Sequence, residues 1–124
     1  MENESNLIYR KAYDFAVHVV KTYQYLTGDK KEFVLSKQLV RCGTSIGANV
    51  AEALGGISKA DFSAKMSIAY KESLETKYWL DLLKDTGFLN NEDYANLHKD
   101  ADELGRILFS IVKTSRQLTM FNDQ

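Results

Sequence analysis

The segment LSKQLVRCGTSIGANVAEAL, residues 35–54, has the spacing of an α-helix and one unusually small-sided surface. Its stripe of core positions advances in steps of three and four residues and comprises Leu35, Leu39, Cys42, Ile46, Asn49 and Ala53. Beside this stripe, Gly43, Gly47 and Ala51 recur every four residues. A glycine inside a helix costs up to about 1 kcal/mol relative to alanine, so two of them one turn apart indicate close packing against another helix. We therefore predict that this segment is the central helix of an all-α domain.

The composition is that of one helical domain with short connections. The chain has 124 residues, no proline, 44% hydrophobic residues and 27% charged residues. Chains of this length bury enough surface for a single core. The chain has 16 basic and 17 acidic residues, so its net charge is close to zero and does not attract nucleic acid or an anionic membrane. Any such contact must be local.

The cysteine count and the start of the chain indicate the cellular compartment in which the protein is expected. Cys42 is the only cysteine, which excludes an internal disulfide and suits a reducing environment. Glu2 and Glu4 stand where a secretory signal would carry positive charge, and no apolar run approaches the length of a membrane span. We expect a cytoplasmic protein that does not associate with a membrane.

Apolar periodicity and helix-ending glycines predict four helices in one domain that spans residues 1–124. The predicted ranges are roughly 6–27, 31–54, 58–86 and 90–120. The breaks are marked by Gly28, by Gly55-Gly56 and by Gly87. Short connections between consecutive helices favour an up-down-up-down antiparallel four-helix bundle.

Polar residues ahead of these helices are the predicted N-caps, because their side chains can accept hydrogen bonds from free backbone amides. Ser5 or Asn6 is expected to cap the first helix, Ser58 the third and Asn90 the fourth. The stripe of the third helix is small in its middle, at Ala69 and Ser73, and we expect it to cross the glycine row of the second helix there.

The first helix carries more apolar surface than one core requires. Beside its main stripe runs a second apolar row, formed by Tyr9, Tyr13, Val17 and Val20. This surplus predicts contact with a partner subunit.

Three runs of sequence resemble a known family. They are QLVRCGTSIGANVAEA at residues 38–53, SKADF at 58–62 and AYKESLETKYWLDLL at 69–83. They are similar to the four-helix-bundle proteins encoded in 23S rRNA intervening sequences of bacteria. The resemblance implies a ring-like homopentamer without known enzymatic activity. It also implies kinship with an accessory protein of diversity-generating retroelements, which binds nucleic acid and a reverse transcriptase.

Four polar residues are candidates for a buried polar cluster: Asn49, Glu52, Glu72 and Glu75. A buried amide that faces carboxylates must be hydrogen-bonded, and its usual role is to set helix register and assembly. The alternative is a di-iron carboxylate site, which needs a glutamate three residues before a histidine on two helices. Phe15 and Ala95 occupy those positions ahead of the two histidines, so we predict no metal and no cofactor.

Eight basic residues are candidates for nucleic-acid contact. They are Lys30, Lys31, Lys37 and Arg41 near the start of the second helix, and Lys99, Arg106, Lys113 and Arg116 on the fourth. The alternative is that they form an ordinary solvated surface, since a charged outer face is common on helices.

These observations favour a non-enzymatic, homo-oligomeric interaction protein, with five as the subunit number that the resemblance implies. The alternative is an RNA-binding or other nucleic-acid-binding protein that acts through basic patches on the assembled ring, or through a nucleic-acid-processing protein. No catalytic constellation and no small-molecule substrate are indicated.

Overall fold

Four helices account for almost all of the chain in the computed structural model, which describes the backbone of residues 4–122 and the side chains of residues 6–117. They are α1 (Glu4–Gly28), α2 (Leu35–Leu54), α3 (Lys59–Asp85) and α4 (Asn91–Asn122). Consecutive helices pack against each other, and α1 closes the bundle against α4 along a less extensive seam. Within the described backbone, no Cα atoms of the diagonal pairs, α1 with α3 and α2 with α4, come within 8 Å of each other. The predicted all-α four-helix bundle is confirmed.

The core is built from the apolar stripes of all four helices. Its largest fully buried side chains are Ile8, Val19, Leu26, Leu39, Ile46, Val50, Met66, Leu80, Leu83, Leu97, Leu104 and Leu108. On α2 the prediction was wrong at two positions, because Ser36 and Val50 are fully buried whereas Leu35 and Asn49 are only partly buried. Asn49 Nδ2 donates to the Ser45 carbonyl one turn earlier, at 2.8 Å. This bond within its own helix satisfies the amide without a place in the core.

The start of α2 differs from the prediction for a physical reason. Lys31, the predicted first residue, has φ 55° and therefore cannot belong to a right-handed helix. The Glu32 carboxylate instead accepts the N–H groups of Val34 and Leu35, both at 3.0 Å, and of Ser36 at 2.7 Å. Burial raises the pKa of Glu32, but these hydrogen bonds outweigh burial and hold the pKa below its usual value. Residues 31–34 therefore form a turn, and α2 begins after it at Leu35 with the Glu32 carboxylate bonded to its first amides.

The predicted N-caps of α3 and α4 and the glycine after α3 are confirmed, and the boundaries of these two helices differ from the predicted ones by one or two residues. Ser58 Oγ accepts the N–H of Asp61 at 3.0 Å, and Asn90 Oδ1 accepts the N–H of Asp93 at 2.8 Å. Gly87 closes α3 with φ 85°. Gly28 has no such conformation, because the chain reverses at Lys31 instead.

The predicted caps of α1 are wrong, whereas the hydrogen bonds after α3 are those of a chain that folds back on its helix. Ser5 and Asn6 are not caps, since α1 already begins at Glu4 and includes both. Both residues tolerate helix at a cost of about 0.5 kcal/mol each. After α3, the N–H groups of Phe88 and Leu89 both point to the Leu83 carbonyl, as expected of a chain that folds back after its glycine.

The glycine row of α2 faces α1 and not α3, which corrects the predicted crossing. A Cβ atom added at Gly43 would lie 2.9 Å from a Val19 methyl, and one added at Gly47 would lie 3.5 Å from the Ala12 carbonyl oxygen. The small middle of α3 meets α4 instead, where Ser73 Oγ is 3.0 Å from the position of a Cβ at Gly105. Two glycines on different helices therefore set two close crossings, α1 on α2 and α3 on α4.

The two glycines of α2 predict opposite responses to alanine. We expect Gly43→Ala to lower the free energy of unfolding by about 1–3 kcal/mol, because the stiff Val19 side chain is buried and cannot withdraw. Gly47→Ala makes only ordinary contacts, so the helix propensity of alanine should raise stability by up to about 1 kcal/mol. Urea denaturation of both variants and the wild type measures the difference. Equal effects of the two substitutions would contradict the close approach at Gly43.

Candidate interaction surfaces

The outer side of α1 and α2 carries an apolar surface, here called the α1/α2 face. On α1 it presents Tyr9, Tyr13, Val17 and Val20, whose side chains are 41%, 58%, 40% and 38% exposed. The rings of Tyr9 and Tyr13 stack with their centroids 6.4 Å apart. The floor of the groove beside them is formed by the small residues of α2, including Gly47, Ala48 and Ala51. The surplus apolar row predicted from the sequence is therefore exposed in the protomer.

A second apolar surface lies on the outer side of α3 and α4 and is here called the α3/α4 face. Its apolar residues are Tyr70, Leu74, Tyr78 and Phe109. The same groove is also lined by an ion-paired group, Lys77, Asp102 and Arg106. Leu74, Tyr78 and Phe109 are 44%, 58% and 54% exposed, and the Tyr70 and Phe109 rings lie 5.6 Å apart. Sequence reasoning missed this face, although the spacing of Leu74 and Tyr78 by four residues, off the main stripe of α3, was the available signal.

The predicted polar cluster divides into two separate ion-paired groups. Glu72 and Glu75 of α3 both pair with Arg41 of α2, and Trp79 Nε1 donates to Glu75 at 2.9 Å. Glu52 lies elsewhere and pairs with Lys65 at 3.4 Å, while Asn49 bonds only to its own helix. The structure therefore does not bring Asn49 together with the carboxylates.

The Arg41 group contains a poorly satisfied carboxylate oxygen. Glu72 Oε2 is shielded from solvent and accepts no hydrogen bond from any described residue, although Arg41 Nη1 lies 3.5 Å away. Burial raises the pKa of Glu72; the Arg41 guanidinium opposes that shift and the Glu75 carboxylate adds to it. Arg41 is thus held by two acids of α3 and is not a free cation for a phosphate.

Cys42 adjoins this group, and its thiol lies in an environment that disfavours reaction. It is fully buried, and its Sγ lies 3.3 Å from the Thr76 hydroxyl, which donates to the Glu72 carbonyl at 2.7 Å. Burial raises the pKa of the Cys42 thiol to about 11, with the Thr76 hydroxyl opposing the shift. A thiolate is the reactive form of cysteine, so this environment disfavours nucleophilic chemistry.

The structure separates the eight candidate cations into engaged and unengaged residues. Besides Arg41, Arg106 pairs with Asp102 at 2.9 Å and Arg116 donates to Ser67 Oγ at 3.1 Å. No ion pair or side-chain hydrogen bond within residues 6–117 engages the remaining five, which are Lys30, Lys31, Lys37, Lys99 and Lys113.

Three of these lysines flank, in the sequence, an exposed apolar pair at one end of the bundle. Phe33 and Val34, in the connection from α1 to α2, are 60% and 71% exposed. Lys30 and Lys31 precede them, and Lys37 follows in the first turn of α2. The intervening Glu32 directs its charge into the backbone amides of α2. The exposed Asp29 opposes the three lysines, so the loop carries more positive than negative charge beside its apolar residues.

Among the side chains that the structure describes, no three His, Cys, Asp or Glu residues converge closely enough to bind a metal ion. Within the described helices, none combines the length and the apolar character that a bilayer span demands.

Replacement of Arg41 by methionine tests the electrostatics of this group. Because the folded pKa of Glu72 is raised, its protonated form contributes stability that is fully present below the unfolded pKa and is lost as pH rises through the folded pKa. Loss of Arg41 raises the folded pKa further. We therefore expect Arg41→Met to cost about 1 kcal/mol at pH 7, a modest value because half of the Arg41 side chain is solvated, and less near pH 4.

Urea denaturation at both pH values measures this penalty. Lys65→Met is the matched control, because it removes a cation from the exposed Glu52 pair on the same pair of helices and should change stability by less than about 0.5 kcal/mol. A pH-independent penalty for Arg41→Met would show that Glu72 does not titrate as described.

Comparison with known proteins agrees with the fold and with the sequence runs described above. The sequence pattern of 23S rRNA-intervening sequence proteins matches residues 4–110. The crystal structure of a protein with unknown function, of the S23 ribosomal protein family from Bacteroides thetaiotaomicron, is similar with a TM-score of 0.88. The two are 45% identical, over 90% of this chain and 99% of that one. No curated protein matches the chain. The chain therefore belongs to the family of 23S rRNA-intervening sequence proteins.

Proposed function

We propose that this protein is a non-enzymatic, homo-oligomeric helical-bundle protein whose role is interaction, with subunits assembled through the α1/α2 face. The observation that carries the proposal is the exposure of two tyrosines and two valines in one row, beside a floor of small residues. Exposed apolar side chains that are scattered singly are ordinary, whereas a contiguous row marks an interface. Aromatic residues are also enriched at the cores of subunit interfaces.

The shape of this face suits a tightly packed helical partner. Gly47, Ala48 and Ala51 leave a shallow groove between α1 and α2, and the tyrosines form one wall of it. A side chain of another subunit can enter this groove without displacing anything. We take five as the subunit number, on the basis of the family resemblance, and a cytoplasmic location as part of the same proposal.

The proposal also rests on the chemistry of the described side chains. The one thiol is buried with a raised pKa, and both polar clusters are ion pairs that join α2 to α3. These groups stabilise the bundle and hold its helices in register, which is a structural role. An interaction function needs no further chemistry.

Introduction of a charge on the α1/α2 face tests the assembly. We expect Val17→Glu to dissociate the oligomer to monomers, with an apparent dissociation constant at least about 100-fold higher, because a carboxylate would be desolvated in the interface. The melting temperature of the protomer should stay within a few degrees, because Val17 is 40% exposed. Native mass spectrometry measures the mass of the assembly.

Ser110→Glu is the matched control, because it adds the same carboxylate to an exposed residue of α4 that lies outside the α1/α2 face. The control should retain the wild-type mass. A wild-type protein that is monomeric at all concentrations, or a Val17→Glu variant with the mass of the wild type, contradicts the proposal.

The α1–α2 loop favours a second candidate function, the binding of single-stranded RNA. Phe33 offers a solvent-exposed aromatic ring, and Lys30, Lys31 and Lys37 lie around it without ion-pair partners in the described structure. Aromatic stacking on bases combined with lysine contacts to phosphates is the usual chemistry of single-strand binding. We propose this loop as the RNA contact, in preference to Arg41 and Arg106, which are held by carboxylates.

Fluorescence anisotropy with a labelled single-stranded RNA, repeated across a salt series, tests this candidate. We expect Phe33→Ala to weaken binding about 5- to 100-fold, because stacking on one base is worth about 1–3 kcal/mol. The double variant Lys30→Gln, Lys31→Gln should reduce the slope of log affinity against log salt by roughly 1 to 2.

The double variant Lys99→Gln, Lys113→Gln is the control, because it removes the same charge from exposed lysines of α4. It should bind RNA like the wild type. Absence of binding by the wild type at low salt, or an equal loss in the control, rules out the loop as the RNA site.

A further inference from the structure

We propose that the partner of the α1/α2 face is the α3/α4 face of a second copy of this chain, with the two bundles parallel. This inference rests on the proposed oligomer and specifies its contact: which surface meets which, and in what orientation. The two surfaces have different residues, but both carry exposed apolar side chains, and their upper ends are opposite in charge.

The two faces lie on opposite sides of the protomer. Going around the described bundle, α1 contacts α2, α2 contacts α3, α3 contacts α4, and the Cα atoms of neither diagonal pair come within 8 Å of each other. The outer groove of α1 and α2 and the outer groove of α3 and α4 therefore point in opposite directions. A protomer can use both faces at once, each with a different neighbour.

The apolar parts of the two faces lie at comparable heights along the bundle. The middle of the α1/α2 face is formed by Tyr13 and Val17, near the centre of α1. The middle of the α3/α4 face is formed by Leu74 and Tyr78, near the centre of α3, with Phe109 of α4 beside them. One face offers a groove with a floor of small residues. The other offers exposed leucine and aromatic side chains beside an ion-paired group, Lys77, Asp102 and Arg106.

Charge distinguishes the two ends of each face. The upper end is defined here as the end that carries the α1–α2 and α3–α4 connections. There, Lys37 lies seven residues before Thr44, which lines the α1/α2 groove, and therefore on the same side of α2. Lys30 and Lys31 lie in the adjoining loop and outnumber its one exposed acid, Asp29. The upper end of the α1/α2 face is basic.

The upper end of the α3/α4 face is acidic. Asp81 and Asp85 follow Leu74 by seven and eleven residues, so both lie on the same side of α3 as Leu74. Both are exposed; Asp81 accepts the Tyr94 hydroxyl, lies 3.8 Å from His98 Nε2 and keeps a side chain that is 53% exposed. The carboxylates are thus available to the lysines of a neighbouring copy.

The lower end of the α3/α4 face has the opposite sign. Lys113 and Arg116 follow Phe109 by four and seven residues on α4, and both are exposed. In a parallel arrangement, Lys30, Lys31 and Lys37 of one copy approach the aspartates of the next. In an antiparallel arrangement, the same lysines would approach Lys113 and Arg116. Because like charges brought together at an interface are unfavourable, the charges select the parallel arrangement.

A contact between two different faces has a consequence for assembly. Each added copy leaves one α1/α2 face and one α3/α4 face open, so growth continues until the chain of subunits closes on itself. A pairing of identical faces would stop at a dimer.

Two face-blocked variants distinguish these possibilities. Val17→Glu blocks the α1/α2 face and Leu74→Glu blocks the α3/α4 face; Leu74 is 44% exposed, so the protomer should fold. Each variant alone should be monomeric in native mass spectrometry. When the two are mixed, the intact α3/α4 face of the first and the intact α1/α2 face of the second should form a 1:1 heterodimer and nothing larger.

The heterodimer is measured by anisotropy with fluorescently labelled Val17→Glu protein. We expect Leu74→Glu protein to bind it at least about 10-fold more tightly than Val17→Glu protein binds itself. Ser110→Glu is the control that should still form the full assembly. If Leu74→Glu lowers the melting temperature, Tyr78→Glu, at a position that is 58% exposed, replaces it.

The outcomes separate this inference from the proposed oligomer. A monomeric wild type overturns both. An assembled wild type whose blocked variants form no heterodimer, or a Leu74→Glu variant with the wild-type mass, overturns the pairing of faces alone.

Charge reversal tests the orientation. In the parallel arrangement, Lys37→Glu and Asp85→Lys should each weaken assembly several-fold at low salt, and the double variant should recover part of the loss. In the antiparallel arrangement, Lys37→Glu would face Lys113 and Arg116 and would strengthen assembly instead. A strengthened Lys37→Glu assembly therefore overturns the parallel orientation.

Discussion

The close approach of α1 to α2 at Gly43 and Gly47 is the constraint on which the rest of the structure depends. Val19 lies so close to Gly43 that a Cβ atom there would clash, and Ala12 lies at van der Waals distance from a Cβ position at Gly47. As a result, the apolar residues on the flank of α1 cannot be covered by α2, whose surface there is nearly bare backbone. Tyr9 and Tyr13 stand at the edge of a shallow groove. The same glycines that tighten the protomer thus create the surface that we propose for assembly.

The seam between α2 and α3 works differently, because polar groups contribute to it. Arg41 pairs with both Glu72 and Glu75, Trp79 donates to Glu75, and Cys42 lies buried beside Thr76. A partly buried carboxylate requires a counter-charge, so Arg41 is committed to the bundle. Arg41 is therefore not available to nucleic acid, and the candidate cations for such a contact are the lysines of the α1–α2 connection, which have no ion-pair partner among the described residues.

The distribution of charge and apolar surface makes the protomer strongly asymmetric. One side ends in lysines at the connection from α1 to α2, and the opposite side ends in aspartates at the top of α3. Neutral overall composition conceals this polarity, because basic and acidic residues nearly cancel. For the proposed assembly such polarity supplies orientation, and for the proposed RNA contact it confines the basic surface to one loop.

The sequence by itself determined the four helices, their order and most of their ends, because periodicity and caps act within a few residues of the chain. Ser58, Asn90 and Gly87 do what their local chemistry requires. The surplus apolar row of α1 was equally readable from spacing, and the family resemblance was readable from the residues of three sequence runs. The start of α2 was not readable, because a glutamate that caps the helix from within a turn resembles an ordinary first-turn residue.

Only the tertiary structure decided which helix meets which face. Periodicity shows that Gly43 and Gly47 share a surface but not that α1, rather than α3, packs on it. It placed Asn49 on a core stripe that in fact passes through Val50, since a rotation of one residue is decided by the neighbouring helix. The pairing of Arg41 with Glu75, 34 residues away, and the exposure of the α3/α4 face likewise follow from the packing of helices. Contacts between residues distant in the chain depend on three-dimensional distance, and a one-dimensional pattern does not contain that distance.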